Sequence, residues 1–308
     1  MLSAATGGRS RAGPTVRGWA VVGWAVVGLT VLAAGCGGGT GTSATAPSIE
    51  VVTGLFPLAQ AVEQIGGSKV TVVDVVPAGS DPRSYQLTAS QVAAVGRAAV
   101  VLEAGRAFQP SLAAAAATAP RVVDLETALG TSDPYVWLDP DDMQRAVSSI
   151  AAAMEAANPP AAGQYRSGAR AFSDEVASTG IDYESTLSTC PRRLIVTPNG
   201  AFADLARLYG LTDQVVGTAA TPDAAAVAAA AGGIQAAGLS TVFSEPFVPT
   251  GTIAAVAAAA HVKVRVLDPL TGPPPAGWPR QADYVRLMEA NLGTLNAALG
   301  CPDAGTGS

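Results

Sequence analysis

The chain has 308 residues, of which 49% are hydrophobic and 14% are charged, and its formal net charge is −6. This composition is typical of a globular protein with enough apolar residues for one or two domains. The negative balance, with no cluster of lysine or arginine beyond the N-terminal segment, argues against nucleic acid as a partner, because phosphate binding needs a basic surface.

Residues 1–35 are typical of a secretory signal peptide. Arg9, Arg11 and Arg17 precede an apolar run, and a polar Gly/Thr/Ser stretch follows Cys36. The ending LAAGC resembles a bacterial lipobox, in which the cysteine is acylated after cleavage. We therefore expect lipidation at Cys36 and a flexible lipidated tether over residues 36–47. The alternative is an uncleaved membrane anchor, and both interpretations put the rest of the chain outside the cytoplasm.

Residues 48–158 alternate short β-branched runs with helical runs, a pattern that predicts an N-terminal α/β lobe. Near-continuous apolar strands separated by helices indicate a parallel sheet that is covered on both faces. The predicted strands are 49–53, 70–76, 99–102 and 121–124, and the predicted helices are 57–65, 89–96, 110–117 and 141–157.

A long helix is predicted from residue 160 to residue 189, inside a linking segment at 159–190. Its apolar residues recur at helical spacing and share one face: Tyr165, Ala169, Phe172, Val176, Tyr183 and Leu187. Asn158 is its predicted N-cap, and Pro191 ends it. At 1.5 Å per residue the helix would be roughly 42 Å long, about the width of a two-lobed protein.

The alternation of strands and helices restarts at residues 191–301, which predicts a second α/β lobe of similar build before a tail at 302–308. The predicted strands are 194–197, 214–216, 241–243 and 262–267, and the predicted helices are 201–209, 222–237, 250–260 and 282–299. The expected fold class is therefore α/β, with two lobes, each a mostly parallel sheet covered by helices, joined by one long spine helix.

Cys190 and Cys301 remain as an even pair once Cys36 is assigned to lipidation. In an oxidising compartment such a pair predicts a disulfide. The bond would tie the C-terminus back to the base of the second lobe, and the alternative is two free thiols. The chain-entropy model gives such a bond, which closes a loop of about 100 residues, roughly 4.7 kcal/mol at most.

Two open α/β lobes hold their ligand loops at the carboxyl ends of the strands, so the cleft between the lobes is the expected binding site. The loops that end there are 77–87, 131–140, 197–202, 244–249 and 268–272. Candidate functional residues are sought in these loops.

Several of these loops carry recognisable stretches, in this order along the chain: VVTGLFPLAQAVEQIGGSKV, VVPAGSDPRSYQLTASQVAAV, SDPYVWLDPDD, TPNGAFADLARLYGL and VRVLDPL. Together they resemble the metal-binding solute-receptor family of ABC transporters that take up zinc or manganese. The resemblance extends from about Ile49 to Cys301. It implies two lobes joined by a rigid helix, one zinc or manganese ion bound between them, and delivery of that ion to a membrane permease driven by an ATPase.

The family motif implies ligand positions, most of which carry other residues here. A histidine is expected after each of two Asp-Pro pairs, where this chain has Arg83 and, in the next loop, Tyr135. A third histidine or an acid is expected before Ala-Phe, where the chain has Pro198 and Asn199. Only Asp268 matches the motif, so it is the one retained candidate metal ligand.

These replacements change the expected chemistry of the cleft. A fixed guanidinium at Arg83 would repel a dication and is expected to pair with Asp268; the alternatives are an anion bound by Arg83 or a solvated surface arginine. Tyr135 is expected to face the cleft and Trp137 the core. Glu245 is a possible additional acid in the cleft, or a loop cap.

The single histidine, His261, is expected to end a helix and not to bind metal, so the usual zinc or manganese site is expected to be absent.

Function follows from the resemblance and from the residues together. The leading interpretation is an extracytoplasmic, lipid-anchored, monomeric receptor that works with an ABC permease and its ATPase. A second is a relative that has lost metal binding and acts as a surface accessory or interaction module. A third is a site for an anion, or for a hard cation or chelate bound by oxygen ligands. No Ser-His-Asp set and no phosphate-binding glycine loop is evident, so no enzyme is expected.

Overall fold

The structure is a computed structural model that describes residues 47–272 and 283–302. The predicted signal peptide, Cys36 and the tether as far as residue 46 lie outside the described residues. The proline-rich loop at 273–279 and the tail from residue 303 also lie outside them. Within the described ranges, no helix has the length and apolar character needed to cross a bilayer.

The described residues form a sequence of strands and helices close to the predicted one. The strands are β1 (Ile49–Thr53), β2 (Val70–Asp74), β3 (Val100–Glu103), β4 (Val122–Asp124), β5 (Leu194–Thr197), β6 (Thr212–Val215), β7 (Thr241–Ser244) and β8 (Lys263–Val266). The helices are α1 (Phe56–Gly66), α2 (Ala89–Arg97), α3 (Pro110–Ala116), α4 (Leu125–Leu129), α5 (Pro140–Ala157), α6 (Ala162–Leu187), α7 (Ala203–Leu208), α8 (Ala224–Ala236), α9 (Gly251–Ala260) and α10 (Tyr284–Leu299).

The N-terminal half contains the predicted parallel sheet, with strand order β2-β1-β3-β4. The side chains of β1 and β3 point alternately into two apolar clusters, one on each face, because successive residues of a strand face opposite ways. The sheet is therefore covered on both sides, as the continuous apolar strands predicted.

The C-terminal half differs from the expectation of one similar sheet. Its strands form two separate parallel pairs, β5 with β6 and β7 with β8. β5 and β7 lie side by side without forming a ladder, and each of the four strands has only four residues. One hydrophobic cluster contains Val196 of β5 and Val242 of β7, and it packs both pairs of strands against α8 and α9.

The predicted spine is helix α6, and it is preceded by a 3-10 turn at Pro159–Ala161. The predicted apolar face is buried with the exception of Ala169, which is half-buried, and Thr179 joins it. The helix packs on α1 and α5 of the N-terminal half and on α10 of the C-terminal half. It therefore links the two halves, as expected. The exact domain boundaries at 158/159 and 190/191 stay a prediction.

Asn158 does not cap the spine through its side chain, contrary to the prediction. Its amide Nδ2 instead donates to the carbonyl of Pro47 and to the hydroxyl of Tyr165. These two bonds hold the side chain of Asn158, and it does not cap the helix. Asn158 thus ties the start of the described chain to the spine.

Gly168 allows close contact between α6 and α1. A Cβ atom at this position would lie 2.5 Å from the carbonyl oxygen of Ile65, and real Cβ atoms do not come so close. This glycine in the middle of the helix, which weakens the helix itself, is therefore required by the packing of the spine.

Cys190 and Cys301 form the expected disulfide, which closes a loop with a sequence separation of 111. It joins the residues just after α6 to those just after α10. His261 also lies where the sequence placed it, as the left-handed residue that ends α9.

Candidate functional site

An open polar cavity of about 410 Å³ lies between loops of the two halves. Its lining residues come from the loop after β2, from the loop before α5, from the segment between β5 and α7, and from α7 itself: Arg83, Ser132, Asp133, Pro134, Tyr135, Asn199, Gly200, Ala201 and Asp204. The cavity brings together three of the predicted cleft residues, Arg83, Tyr135 and Asn199. This is the region where α/β proteins commonly bind ligands, next to the carboxyl ends of strands.

Arg83 is held by Asp81 through a tight local turn. Oδ1 of Asp81 accepts the backbone N–H of Arg83 at 3.0 Å, and the guanidinium adds Nε to Oδ1 and Nη2 to Oδ2, each at 3.0 Å. The side chain of Arg83 is 29% exposed. The predicted ion pair between Arg83 and Asp268 is wrong, because the guanidinium forms its bidentate pair with Asp81.

Burial alone would lower the pKa of Arg83, but its hydrogen bonds to Asp81, the charge of Asp81 and the neighbouring phenol of Tyr135 raise it overall. The guanidinium is therefore a permanent positive charge in the cleft. A bidentate pair also fixes its orientation, which a lysine could not do.

Tyr135 lines the cavity and Trp137 is fully buried, as their alternation predicted. The ring of Tyr135 packs edge-on against Phe108, at a centroid distance of 5.1 Å, and against Trp137 at 5.7 Å. Burial raises the pKa of Tyr135, and Arg83 opposes that shift. The phenol consequently stays protonated at neutral pH and acts as a neutral hydrogen-bonding group.

Asn199 begins the 3-10 turn Gly200–Phe202, and its Oδ1 accepts the backbone N–H of Ala201 at 2.9 Å. Its Nδ2 is buried and makes no hydrogen bond among the described residues. The carbonyl oxygen of Asn199 lies 2.5 Å from Oγ1 of Thr197, and that hydroxyl is also 2.8 Å from Oδ1 of Asp213. Asn199 is thus oriented by a buried polar network behind the cavity.

Asp213 completes this network. One hydroxyl hydrogen cannot serve a carbonyl and a carboxylate at once, so Thr197 can donate to Asn199 only if Asp213 itself donates to Thr197. Burial raises the pKa of Asp213 to about 6, and the hydrogen bond from Thr197 opposes that shift. The network is therefore complete when Asp213 is protonated.

Glu245 follows β7 and is only 5% exposed. Neither of its carboxyl oxygens has a hydrogen-bond partner within the described part of the chain. Burial raises the pKa of Glu245 to about 8. The amide of Asn199, which is close but does not reach hydrogen-bond geometry, and the charge of Arg83 both lower this pKa. The charges of Asp213 and Asp268 raise it. An unpartnered buried carboxyl group is costly, so it calls for a functional explanation.

Asp268, the one retained family ligand, follows β8 and is also 5% exposed. Its Oδ1 accepts the backbone N–H of Leu270 at 2.8 Å, and Asn291 of α10 bonds to its backbone on both sides. Burial raises the pKa of Asp268, and the bond from Leu270 opposes the shift. Neither Asp268 nor Glu245 lines the open cavity.

Two acids that line the cavity were not singled out from the sequence, Asp133 and Asp204. They come from opposite halves and face each other. Burial and the nearby Asp204 raise the pKa of Asp133 to about 6, whereas the hydrogen bond from the backbone N–H of Tyr135 lowers it. Asp204 also pairs with Arg207 at 2.7 Å. The Ser-Asp-Pro start of the loop was the available signal, but sequence spacing does not say which loop side chains point inward.

The donor set does not fit the usual zinc site of the family. Within the described ranges, no group of three or more His, Cys, Asp or Glu residues is placed to hold a metal ion. His261 is occupied as a helix-ending residue, and the cysteines are joined in the disulfide. Zinc sites are normally built from imidazole, thiolate and carboxylate, and the cleft offers carboxylates, a phenol, an amide and a guanidinium.

Comparison with known proteins gives one family model that matches residues 51–298, described as zinc-uptake complex component A, periplasmic (ZnuA). Zinc-binding protein AdcA of Streptococcus pyogenes serotype M6 is 29% identical over 167 residues, which is 53% of this chain and 32% of that protein. Manganese-binding lipoprotein MntA of Halalkalibacterium halodurans is 26% identical over 196 residues, 59% of this chain and 65% of that one. The chain therefore matches about a third of the length of AdcA.

Solved structures show the same fold. A crystal structure of ZnuA superimposes with a TM-score of 0.71 at 25% identity and covers 82% of this chain and 99% of that one. The periplasmic zinc-binding protein TroA from Treponema pallidum gives a TM-score of 0.73 at 22% identity, with 82% and 99% covered. Both halves and the spine lie within the matched length.

Proposed function

The chain belongs to the family of periplasmic zinc-uptake components, and from this premise we propose that it is the extracytoplasmic solute-binding component of a metal-type ABC transporter. The observation that carries the proposal is the cavity between the halves. Three residues at the family's ligand positions, Arg83, Tyr135 and Asn199, line it. The family match at 51–298 includes both halves that form this cavity.

The chemistry of the cavity supports a cargo larger than a bare ion. Its volume of about 410 Å³ is within the range of small-molecule pockets, about 300–1,000 Å³. A guanidinium has five N–H donors, and Arg83 gives two of them to Asp81, so donors remain for an anionic oxygen of a ligand. Asp133 and Asp204 offer hard oxygen ligands nearby. We propose a hard metal ion that arrives with a small anionic chelator.

The partners follow from the family. The expected assembly is this chain as a monomer, an ABC permease and its ATPase, with the receptor held at the membrane surface by acylated Cys36. The proposed domains are a lobe at 48–158, the spine at 159–190 and a lobe at 191–301. No catalytic reaction forms part of the proposal.

The receptor role is tested with the full chain, its permease and its ATPase reconstituted in proteoliposomes. The expected result is a higher rate of ATP hydrolysis when the receptor is present. An unchanged rate with a correctly folded receptor would refute the role.

The cargo is tested by thermal melting of the full chain with ferric, manganese and zinc ions, each alone and as a citrate complex. The expected result is a rise in melting temperature with a metal–citrate complex, because a ligand that binds only the native state stabilises it. Arg83→Gln should remove this rise. Arg106→Gln, whose side chain is 81% exposed and does not line the cavity, is the matched control.

A second candidate is an accessory or interaction module that has lost cargo binding. The absence of imidazole from the described cleft favours it, since His261, the chain's single histidine, ends α9. This candidate predicts no melting shift with any ion or chelate and no effect on the ATPase. A shift with any of them that depends on the cleft would exclude it.

A further inference from the structure

We infer that Arg83 determines the specificity of this receptor, because its guanidinium takes the position of a cargo cation and excludes bare zinc and manganese ions. The inference rests on the proposed function, since it specifies which cargo the same cleft refuses. Position 83 is one at which the family motif implies a metal-binding histidine, so the side chain there reaches the place where a cargo ion would be bound.

Two buried acids close to the cavity, Glu245 and Asp268, have incomplete hydrogen bonding. Glu245 is only 5% exposed and both of its oxygens are unpartnered in the described structure, while Asp268, equally buried, has one oxygen bonded to a backbone N–H. Asn199, beside Glu245, also has an unpartnered Nδ2. A buried carboxyl group without partners calls for an explanation, and a ligand or a neighbouring positive charge supplies one.

Arg83 supplies that positive charge from the chain itself. It lines the open cavity, whereas Glu245 and Asp268 do not, and its charge acts on Glu245 and on Tyr135. Arg83 and Asp268 both shift the pKa of Glu245, so the guanidinium and the two acids lie within one electrostatic environment. A dication bound by the two acids would be repelled by the guanidinium, whose charge the carboxylate of Asp81 offsets only in part.

The guanidinium cannot easily move aside. Asp81 holds it with two hydrogen bonds from the side chain and a third from the backbone of Arg83, all at 3.0 Å. Asp81 and Arg83 are two residues apart and belong to the same turn, so we expect the two side chains to move together. Arg83 therefore acts as a built-in cation and not as a flexible surface side chain.

The test is isothermal titration of the full chain in detergent with Zn²⁺ and with Mn²⁺, after melting curves show that each variant is folded. Arg83→His removes the fixed charge and adds a ligand, Arg83→Gln only removes the charge, and Arg106→Gln is the control. We expect no measurable binding by the wild type or Arg106→Gln. Arg83→His should bind measurably, with a Kd at least ~10-fold below the weakest Kd that the titration can detect. Asp268→Ala added to Arg83→His should abolish the gain.

Two results would overturn the inference. One is wild-type protein that binds zinc or manganese as tightly as Arg83→His does. The other is a folded Arg83→His and a folded Arg83→Gln that both bind neither ion. Neither result bears on the ATPase assay, which reports the receptor role of the wild-type chain independently.

Discussion

Two of the contacts between the halves in the described structure treat polar groups in opposite ways. At the aromatic seam, defined here as Trp137, Pro269 and Tyr284, the indole Nε1 of Trp137 donates to the carbonyl of Pro269 at 2.7 Å, and the hydroxyl of Tyr284 donates to the carbonyl of Trp137 at 2.6 Å. In the cleft, Glu245 and Asn199 have buried polar atoms that bond to nothing in the described chain. Satisfied polar groups are typical of a structural contact, whereas the unsatisfied groups of the cleft call for an explanation, which a bound ligand would supply.

The seam also connects to the spine. The ring of Phe172 packs edge-on against Tyr284 at a centroid distance of 5.9 Å, and the hydroxyl of Tyr183 donates to the carbonyl of Met288 at 2.8 Å. Phe172 and Tyr183, the spine residues in these two contacts, are on the buried face of the helix. We infer that the seam and the spine set the relative position of the halves, which leaves the cleft free to carry strained or unpaired groups.

The largest expected effect is on the seam. Trp137→Ala removes a fully buried ring and leaves the carbonyl of Pro269 without its donor, so we expect a loss of about 3–5 kcal/mol in the free energy of unfolding. Urea denaturation measures it. Trp137→Phe, which keeps most of the apolar volume, should lose less. A loss below about 1 kcal/mol for Trp137→Ala would mean that the seam does not hold the halves.

The next effect is on the cleft and depends on pH. The pKa of Glu245 is raised to about 8 from a usual value of 4.5. Above the lower value the unfolded chain gives up this proton while the folded chain keeps it, so stability falls as pH rises from about 4.5 to about 8, by at most ~1.4 kcal/mol per pH unit from this group.

Glu245→Gln removes that titration and should flatten the fall in stability over this range. The measurement is the free energy of unfolding at several pH values for both proteins. Asp133 and Asp213, whose pKa values are also raised to about 6, remain in both and cancel in the difference. Parallel curves for wild type and variant would show that Glu245 ionises normally, and that the cleft holds no strained acid.

A smaller effect is expected from Tyr284→Phe, which keeps the ring of the seam but removes its hydroxyl. The carbonyl of Trp137 then loses a hydrogen bond in a buried place, and the expected cost is about 1–3 kcal/mol. Chemical denaturation of the variant beside Trp137→Ala separates the hydrogen bond from the packing. A neutral result would show that water replaces the hydroxyl and that the seam is less dry than the structure indicates.

The smallest effect is expected at the edge of the cavity. Arg207 pairs with Asp204, but its side chain is 73% exposed, and such ion pairs contribute little. Arg207→Gln should leave the melting temperature unchanged within error. A clear fall in melting temperature would show that this ion pair stabilises the fold. The cleft would then contribute to stability as the seam does, contrary to the comparison.

Much of the fold could be predicted because its signals are local runs and repeats. The strand at 49–53 followed from a short, nearly continuous β-branched run, and the apolar face of the spine followed from the 3.6-residue repeat of a helix. The disulfide followed from the number of cysteines. The five-residue helix α4 was not predicted because a single turn is too short for a period; Asp124 as its cap and Gly130 as its end were the only signals.

The candidate site was only partly predictable, because loop side chains have no periodicity. Motif position gave Arg83, Tyr135 and Asn199, which the cavity brings together. The partner of Arg83 was assigned wrongly to Asp268, since the choice rested on charge alone. The sequence Asp81-Pro-Arg83 already contained the answer, because an aspartate readily bonds to the backbone two residues on, and this brings the two side chains together.

Elemental analysis of the full chain, purified without chelator and supplemented with zinc or manganese before buffer exchange, tests the exclusion of bare dications most directly. We expect far less than one metal ion per chain, and the same low content in Asp268→Ala, because the guanidinium of Arg83 lines the cleft and its charge acts on Glu245. One zinc or manganese ion per wild-type chain, lost in Asp268→Ala, would contradict this account and would mean that the cleft still binds the family's cargo.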